Sequence, residues 1–265
     1  MAYETIELRV EDSVAEITLN RPERLNAWNE QFGNELRQAI LEDSADPGVR
    51  AVLITGAGRG FSSGADLKEM LERGASAEPA PQVGDLLRDR YHPIIKGIRE
   101  LPKPVVAAVN GPAVGIGCSL ALACDLIWAA KSAIFGLAFV NIGLVPDGGS
   151  TFLVPAAAGK ARALEMALLG DPIPAQQALE WGLINRVVDD GELMSETRDL
   201  ARRLAAGPTL SYANSKRALN NSVMRIMDEQ LELEADIQGQ MTGSADFIEG
   251  VSAFVEKREP RFTGA

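Results

Sequence analysis

The chain has few of the residues that bind metals or form disulfides. Its 265 residues include two cysteines and one histidine, too few for a zinc site of the usual kind. Cys118 and Cys124 lie in an apolar stretch, where buried free thiols are expected. Nor do the acidic residues cluster in the way that oxygen-ligated metals require. The sequence therefore predicts no metal site.

Positive charge is also scarce, since 26 Lys and Arg residues face 37 Asp and Glu residues, for a net charge of -11. Such a surface repels nucleic acid and anionic membranes, so neither is expected as a partner. No apolar run is long enough to span a bilayer, because polar residues and prolines interrupt the longest stretch, 104–130. The first residues lack the basic and apolar regions of a signal peptide. A cytoplasmic protein is the resulting expectation.

Two common nucleotide-binding patterns are missing: neither glycine-rich loop, 56–64 or 111–117, contains G-x-G-x-x-G, and no phosphate-binding P-loop occurs. The first loop does contain G-x-S-x-G around Ser62. A nucleophile elbow needs its serine directly at the end of a strand, however, and residues 56–59 intervene. Because His92 is the single histidine, the acid of a Ser, acid, His triad would have to lie between Ser62 and His92. That spacing is too short for an α/β-hydrolase. A serine hydrolase is therefore disfavoured.

The hydrophobic pattern predicts an α/β core followed by a helical C-terminal part. The unit of strand, glycine-rich loop and helix occurs twice, which favours parallel strand pairing. Strands are predicted at 5–10, 14–19, 49–55, 105–109 and 125–129. Helices are predicted at 29–43, near 66–70, and at 88–101, 118–123, 161–169, 175–181, 193–206, 212–220, 227–238 and 245–256, with a mobile loop at 74–84.

Asp147 is the most informative residue. It is a lone acid in an apolar, glycine-punctuated turn, and residues 132–145 before it carry no charge. Burial there would raise its pKa toward the range that is useful for proton transfer. The alternative is local, because Pro-Asp-Gly-Gly at 146–149 could simply cap the helix that follows. Both interpretations stay open on this window alone.

Each glycine-rich loop places small residues at the start of a helix. Backbone N–H groups in such positions are free to point at an anion or at a developing oxyanion. Ala65 opens the first helix and Ile116 stands just before the second. If the two N–H groups converge on one carbonyl oxygen, they form an oxyanion hole. If they do not, the glycines serve only the backbone of two tight loops.

Together these residues resemble the enoyl-CoA hydratase/isomerase (crotonase) superfamily over nearly the whole chain. The resemblance implies a spiral of ββα units over 1–200, a helical C-terminal trimerisation or lid region over 201–265, and a homotrimer or dimer of trimers. It also implies an acyl-CoA thioester bound by the N–H groups of Ala65 and Ile116, with coenzyme A as part of the substrate and no separate cofactor. The motifs that carry it are LNRP at 19–22, GFSSGADL at 60–67, KPVVAAVNG at 103–111, CDL at 124–126, GLVPDGG at 143–149 and ALEWGLI at 178–184.

Within that superfamily, the polar residues favour isomerisation over hydration. The two glutamates of hydratases fall, by motif position, on Ser119 and Phe139, so the pair that positions water is missing. The acid that remains is Asp147, where isomerases of dienoyl and ring-epoxide thioesters place an aspartate. The closest resemblance is to 2-(1,2-epoxy-1,2-dihydrophenyl)acetyl-CoA isomerases, partly through EGVSAF at 249–254. It implies an isomerase of phenylacetate degradation or fatty acid metabolism.

Further site residues follow from the same resemblance. Tyr91, His92 and Phe139 are expected near the acyl group. The first alternative activity is that of a hydrolase or a 4-chlorobenzoyl-CoA dehalogenase-like enzyme, with Asp147 as nucleophile and His92 as base. The second alternative is an enoyl-CoA hydratase or a non-catalytic acyl-CoA-binding protein. Arg24 and Lys68 are expected to contact the coenzyme A portion, and Asp66 and Leu67 are also expected to bind the substrate.

Overall fold

A six-stranded sheet and a smaller three-stranded sheet organise the structure, a computed structural model that describes residues 3–69, 83–223 and 226–264. The large sheet has the order β1-β2-β3-β4-β6-β9, and the small one has the order β5-β7-β8. A β1–β2 hairpin is antiparallel, whereas every later pairing in the large sheet is parallel. The strands are β1 (Ile6–Glu11), β2 (Val14–Leu19), β3 (Ala51–Gly56), β4 (Val105–Val109), β5 (Ala113–Val114), β6 (Leu126–Ala130), β7 (Ile134–Gly136), β8 (Ile173–Pro174) and β9 (Arg186–Val188).

Helices surround these sheets and make up most of the chain after β9. A π-helical turn covers Leu87–Tyr91, and a 3-10 turn covers Phe139–Ile142. The helices are α1 (Glu30–Leu41), α2 (Val83–Leu86), α3 (His92–Glu100), α4 (Ile116–Ala123), α5 (Ser150–Ala158), α6 (Lys160–Leu169), α7 (Ala175–Glu180), α8 (Leu193–Ala206), α9 (Thr209–Val223), α10 (Met227–Met241) and α11 (Ala245–Glu256).

The sequence explains why the core elements form where they do. Every residue of β4 is buried, as a parallel strand covered on both faces requires. Helix α1 begins at a cap, since the Asn29 side chain accepts the Phe32 N–H at 2.9 Å. Its buried residues, including Leu36 and Ile40, form one stripe that faces α3 and the sheet.

The structure differs from the sequence prediction in the region before α3. The first four residues of the predicted helix 88–101 lie in the π-helical turn that contains Tyr91 and follows α2, and α3 begins only at His92. An extra residue in such a turn changes which side chains face inward, and periodicity does not reveal it. Most of the predicted loop 74–84 lies outside the described residues.

The C-terminal helices cover the region after β7. Helix α10 packs against α2 and α5, and α11 packs against the 3-10 turn Phe139–Ile142. Helix α8 instead packs on the large sheet, and the predicted boundary at residue 200 falls within it. Among the described residues, none of the helices combines the length and the apolarity needed to cross a bilayer.

Candidate active site

The two glycine-rich loops meet directly. Gly64 has φ +95° and Gly115 has φ +57°, backbone conformations that side chains rarely adopt. A Cβ atom added to either glycine would lie 3.7 Å from the Cα atom of the other. The residues that follow them, Ala65 and Ile116, are therefore brought close together, a placement that the sequence had left open.

Hydrogen bonding leaves the N–H groups of Ala65 and Ile116 available. The Trp28 N–H donates to the Gly64 carbonyl, and the Asp66 N–H donates to the Trp28 carbonyl, which makes a parallel bridge between Trp28 and Ala65. In such a bridge the N–H of Ala65 points away from Trp28. Ile116 is the first residue of α4, where an N–H has no partner within its helix. Neither N–H donates a hydrogen bond within the described part of the chain. Both can therefore bind an external oxygen.

Asp147 is 5% exposed and lies beside α4, the helix that begins at Ile116. Gly148, the next residue, packs on α4, because a Cβ atom there would lie 2.9 Å from the Ser119 Cβ. The Oδ2 atom of Asp147 accepts a hydrogen bond from Gln238 Nε2 at 2.9 Å. Its buried Oδ1 atom has no partner in the described residues. One carboxylate oxygen is therefore held while the other remains without an internal contact.

The helix-cap interpretation of Asp147 is wrong. Helix α5 begins at Ser150 with Gly149 as its N-cap, and the Asp147 side chain does not contact its first turn. A distant carboxylate performs that role: Glu234 accepts the Gly149 N–H at 2.7 Å and the Thr151 N–H at 3.1 Å. Because Glu234 satisfies the start of the helix, the Asp147 carboxyl is left for other contacts.

Burial shifts the pKa of both acids upward. It raises the pKa of Asp147 to about 7, an effect opposed by the hydrogen bond from Gln238 and reinforced by the charge of Glu234. Burial likewise raises the pKa of Glu234 to about 7, against its hydrogen bonds to Thr151 and Gly149. A carboxyl with a pKa near neutrality can both take up and return a proton, which fits acid–base work.

These shifts predict how stability depends on pH. The unfolded chain releases the Asp147 proton near its ordinary pKa, whereas the folded protein holds it up to about pH 7. The Asp147 contribution to the free energy of unfolding is therefore present at low pH and is lost as the pH rises from about 4 to 7. We expect the free energy of unfolding of Asp147→Asn, measured in urea, to rise relative to that of the unmodified protein by about 2–4 kcal/mol as the pH is raised from about 4 to 8. A difference that stays constant with pH would contradict this.

The two positions that carry glutamates in hydratases lie beside the same loops. The Ser119 hydroxyl donates to the Asp147 backbone carbonyl at 2.7 Å, so it helps to fix that segment. A Cβ atom on Gly115 would lie 3.8 Å from Phe139 Cζ, which places the Phe139 ring against the loop pair. Neither side chain can move a proton to or from carbon. Among the described residues, Asp147 is thus the buried acid that has a carboxylate oxygen without a partner.

Tyr91 and His92 lie side by side in sequence but in different surroundings. Tyr91 packs edge-on against Trp28 with ring centroids 5.1 Å apart, and burial and the nearby charge of Asp147 both raise its pKa. His92 is also buried, which lowers its pKa to about 4, and its Nε2 atom has no partner in the described residues. The charges of Glu232, Arg88 and Lys96 act on His92. The Asp147 carboxylate is an electrostatic neighbour of Tyr91.

The four remaining residues expected to bind the substrate differ in accessibility. Arg24 ends an exposed 3-10 turn and Lys68 is exposed, so both can reach a nucleotide at the surface. Leu67 is half-buried at the start of the helical residues 67–69. Asp66 is engaged internally: Arg21 pairs with it at 3.0 Å, and it accepts the N–H of Glu69.

Ser62 of the G-x-S-x-G pattern is a structural residue. Its side chain is fully buried, and its hydroxyl donates to the Asn26 carbonyl at 2.9 Å while accepting from Trp28 Nε1 at 3.1 Å. A nucleophile needs an exposed hydroxyl and a nearby base. The structure agrees with the rejection of a serine hydrolase.

Sequence reasoning missed Gln238 and Glu234, which come from α10, 91 and 85 residues after their partners in the Asp147 segment. The available signal was weak. Both residues face inward on an amphipathic helix, where a buried acid and a buried amide are unusual and require hydrogen-bonding partners.

Comparison with known proteins gives a consistent result. The model of the enoyl-CoA hydratase/isomerase family matches residues 9–265. The chain is 46% identical over 255 residues to 1,2-epoxyphenylacetyl-CoA isomerase from Escherichia coli K12, covering 96% of this chain and 97% of that protein. It is 36% identical over 263 residues to crotonyl-CoA hydratase from Syntrophomonas wolfei, with 99% of both covered.

A solved structure shows the same architecture. The crystal structure of an enoyl-CoA hydratase from Mycobacterium avium subsp. paratuberculosis K-10 superimposes with a TM-score of 0.87 at 40% identity. The superposition covers 98% of this chain and 99% of that one. The α/β fold with a helical C-terminal part, predicted from the sequence, is therefore confirmed.

Proposed function

Because the chain belongs to the enoyl-CoA hydratase/isomerase family, with its crotonase-like fold, we propose that it is an acyl-CoA isomerase in which Asp147 moves a proton. The observation that carries this proposal is Asp147, a buried acid beside α4 with a pKa of about 7 and one oxygen that has no partner in the described residues. Isomerisation needs one group that can remove a proton and return it. Glu234 has a similar pKa, but both of its oxygens are bound at the first turn of α5, so Asp147 is the acid that is left to act.

The thioester carbonyl oxygen is proposed to accept hydrogen bonds from the N–H groups of Ala65 and Ile116. As Asp147 removes a proton from the carbon next to the carbonyl, negative charge moves to that oxygen. Donors fixed by the fold stabilise this enolate-like charge without reorganising, typically by about 3 kcal/mol each. The convergence of Gly64 and Gly115 supports the placement of the two donors at one oxygen.

The return of the proton decides the product. When Asp147 delivers it to a different carbon, a double bond shifts along the chain. When the electron pair of the enolate instead breaks a C–O bond of an adjacent epoxide, the epoxide oxygen takes the electron pair, and Asp147 returns the proton to the rearranged product, whose mass is unchanged. The similarity to a 1,2-epoxyphenylacetyl-CoA isomerase favours the second substrate class and, with it, a role in phenylacetate degradation.

Hydration is the main competing activity, because several relatives are named as hydratases. Adding water across a double bond needs one group that activates the water and another that protonates carbon. Ser119 and Phe139 occupy the two relevant positions, and the Ser119 hydroxyl already donates to a backbone carbonyl. The site therefore favours isomerisation. The dehalogenase-like alternative has less support, since no hydrogen bond joins His92 to Asp147 among the described residues.

A panel of thioesters tests the proposed function. Aryl-epoxide, 3-enoyl, 3,5-dienoyl, crotonyl and 4-chlorobenzoyl thioesters of coenzyme A should each be incubated with the protein, and the products identified by mass and retention time. We expect products of unchanged mass from an aryl-epoxide or an enoyl substrate. A gain of 18 mass units from crotonyl-CoA as the main reaction would instead identify a hydratase, and binding without turnover would identify a non-catalytic protein.

We further propose that the protein works as a cytoplasmic homotrimer or dimer of trimers. Large apolar side chains on α6 and α11 support association, since Leu168 and Phe254 are 67% and 62% exposed. Sedimentation equilibrium should give three or six times the chain mass of 28.3 kDa. A monomer at micromolar concentration would contradict this expectation.

A further inference from the structure

Helix α10 presents a polar stripe to the segment that contains Asp147. Gln230, Glu234 and Gln238 are spaced four residues apart, so they lie on one face of the helix. Gln230 Nε2 donates to Thr151 Oγ1 at 2.7 Å, and Glu234 binds the first turn of α5. The third residue of the stripe contacts Asp147 itself.

The two contacts of Gln238 fix the orientation of its amide. Its Oε1 atom accepts the backbone N–H of Val145 at 3.2 Å, and a backbone N–H can only donate. Nε2 must therefore be the atom that meets Asp147 Oδ2, so Gln238 is a donor to the carboxylate. Gln238 is fully buried, which excludes water from this bond.

We propose that Gln238 is the positioning residue for Asp147, an inference that rests on the proposed function. Its donor holds Oδ2, which leaves Oδ1 as the oxygen that meets the substrate carbon. The same hydrogen bond favours the ionised carboxylate and so opposes the effect of burial. Gln238 thereby fixes the direction of the base and lowers its pKa against the two effects that raise it, burial and the charge of Glu234, while the Tyr91 hydroxyl is the other titratable group that interacts with Asp147.

Gln230 provides a matched control. It is the same residue type on the same helix face, and it also binds the segment after Asp147. It contacts Thr151 rather than the acid. A variant at Gln230 therefore shows how far kcat and the pH midpoints change when α10 is held less firmly against this segment. It removes no hydrogen bond of Asp147 itself.

The experiment compares Gln238→Met and Gln230→Met, which remove each amide at similar side-chain length. The pH dependence of kcat/KM should be measured on the substrate that the panel identifies, and the ¹³C chemical shift of the Asp147 carboxyl should be titrated, with Asp147→Asn giving the assignment. For Gln238→Met we expect both midpoints to rise by about one pH unit. We also expect kcat at pH 7 to fall about tenfold or more, with KM changing less than about threefold. Gln230→Met should leave both midpoints where they are.

An unchanged carboxyl titration in Gln238→Met would overturn the inference, as would an equal shift in Gln230→Met. A variant that only loses thermal stability, with both midpoints unchanged, would show a structural role and would also overturn it. Failure of the proposed function is separable from these outcomes. In that case Asp147→Asn retains turnover, while the ¹³C titration still reports whether Gln238 controls the Asp147 carboxyl.

Discussion

Asp147→Asn is expected to lower kcat by about 10³-fold, the range that general acid–base catalysis supplies. An amide can neither take the proton from carbon nor return it. Asparagine keeps the size of the side chain, and its carbonyl oxygen can still accept the hydrogen bond from Gln238. The site should therefore stay folded around a group that cannot transfer protons.

Two measurements separate lost chemistry from lost structure in this variant. Calorimetric titration with an unreactive acyl-CoA should give a Kd within about threefold of the unmodified protein, because the thioester contacts do not involve Asp147. Asp171→Asn, an exposed aspartate variant, is the control for the substitution itself and should keep full activity. Turnover by Asp147→Asn at the unmodified rate would show that another group carries the proton.

Ile116→Pro is expected to lower kcat by about 10²–10³-fold, the effect of removing one donor from an oxyanion hole. Proline has no N–H, so the substitution deletes the proposed donor itself. The first position of a helix tolerates proline, because its N–H lacks an intrahelical partner and its φ suits the ring. Ile116 occupies that position in α4, and its N–H makes no hydrogen bond elsewhere in the described residues. The fold should therefore survive the loss.

Ile116→Ala is the matched control, because it truncates the same buried side chain but keeps the backbone donor. It should lose stability, by about 2–4 kcal/mol in urea unfolding, as buried isoleucines do when truncated. Its kcat should remain within about tenfold of the unmodified protein. If both variants lost kcat equally, the N–H of Ile116 would not be a catalytic donor, and packing would explain the effect.

Much of the fold could be predicted because its elements are locally encoded. The predicted ranges 14–19, 105–109, 193–206 and 245–256 coincide with β2, β4, α8 and α11. These are the segments with strong alternation, continuous burial or a clear amphipathic stripe. The strands of the small sheet were missed, because β5 and β8 are two residues long and leave no periodic signal. They form through pairing with distant segments rather than through local preference.

The candidate site was predictable where the signal was local and unpredictable where it was not. The apolar, uncharged approach to Asp147 indicated a buried acid, and the structure buries it. The same window, Pro-Asp-Gly-Gly, also fits a helix cap, and nothing nearby in sequence excludes that. The cap comes instead from Glu234 on α10, a contact between residues 85 positions apart. A contact set by tertiary packing cannot be read from a four-residue pattern.

The dependence of the Asp147 segment on α10 has a consequence for how the protein is made. Chains are synthesised from the N-terminus, and their early parts can fold first. The large sheet, both glycine-rich loops and Asp147 itself all precede α10 in the chain. Until α10 docks, α5 lacks the carboxylate at its first turn and Asp147 lacks its donor. An incomplete chain would thus hold every proposed catalytic residue but lack the contacts that position Asp147, so the reactive acid is assembled last.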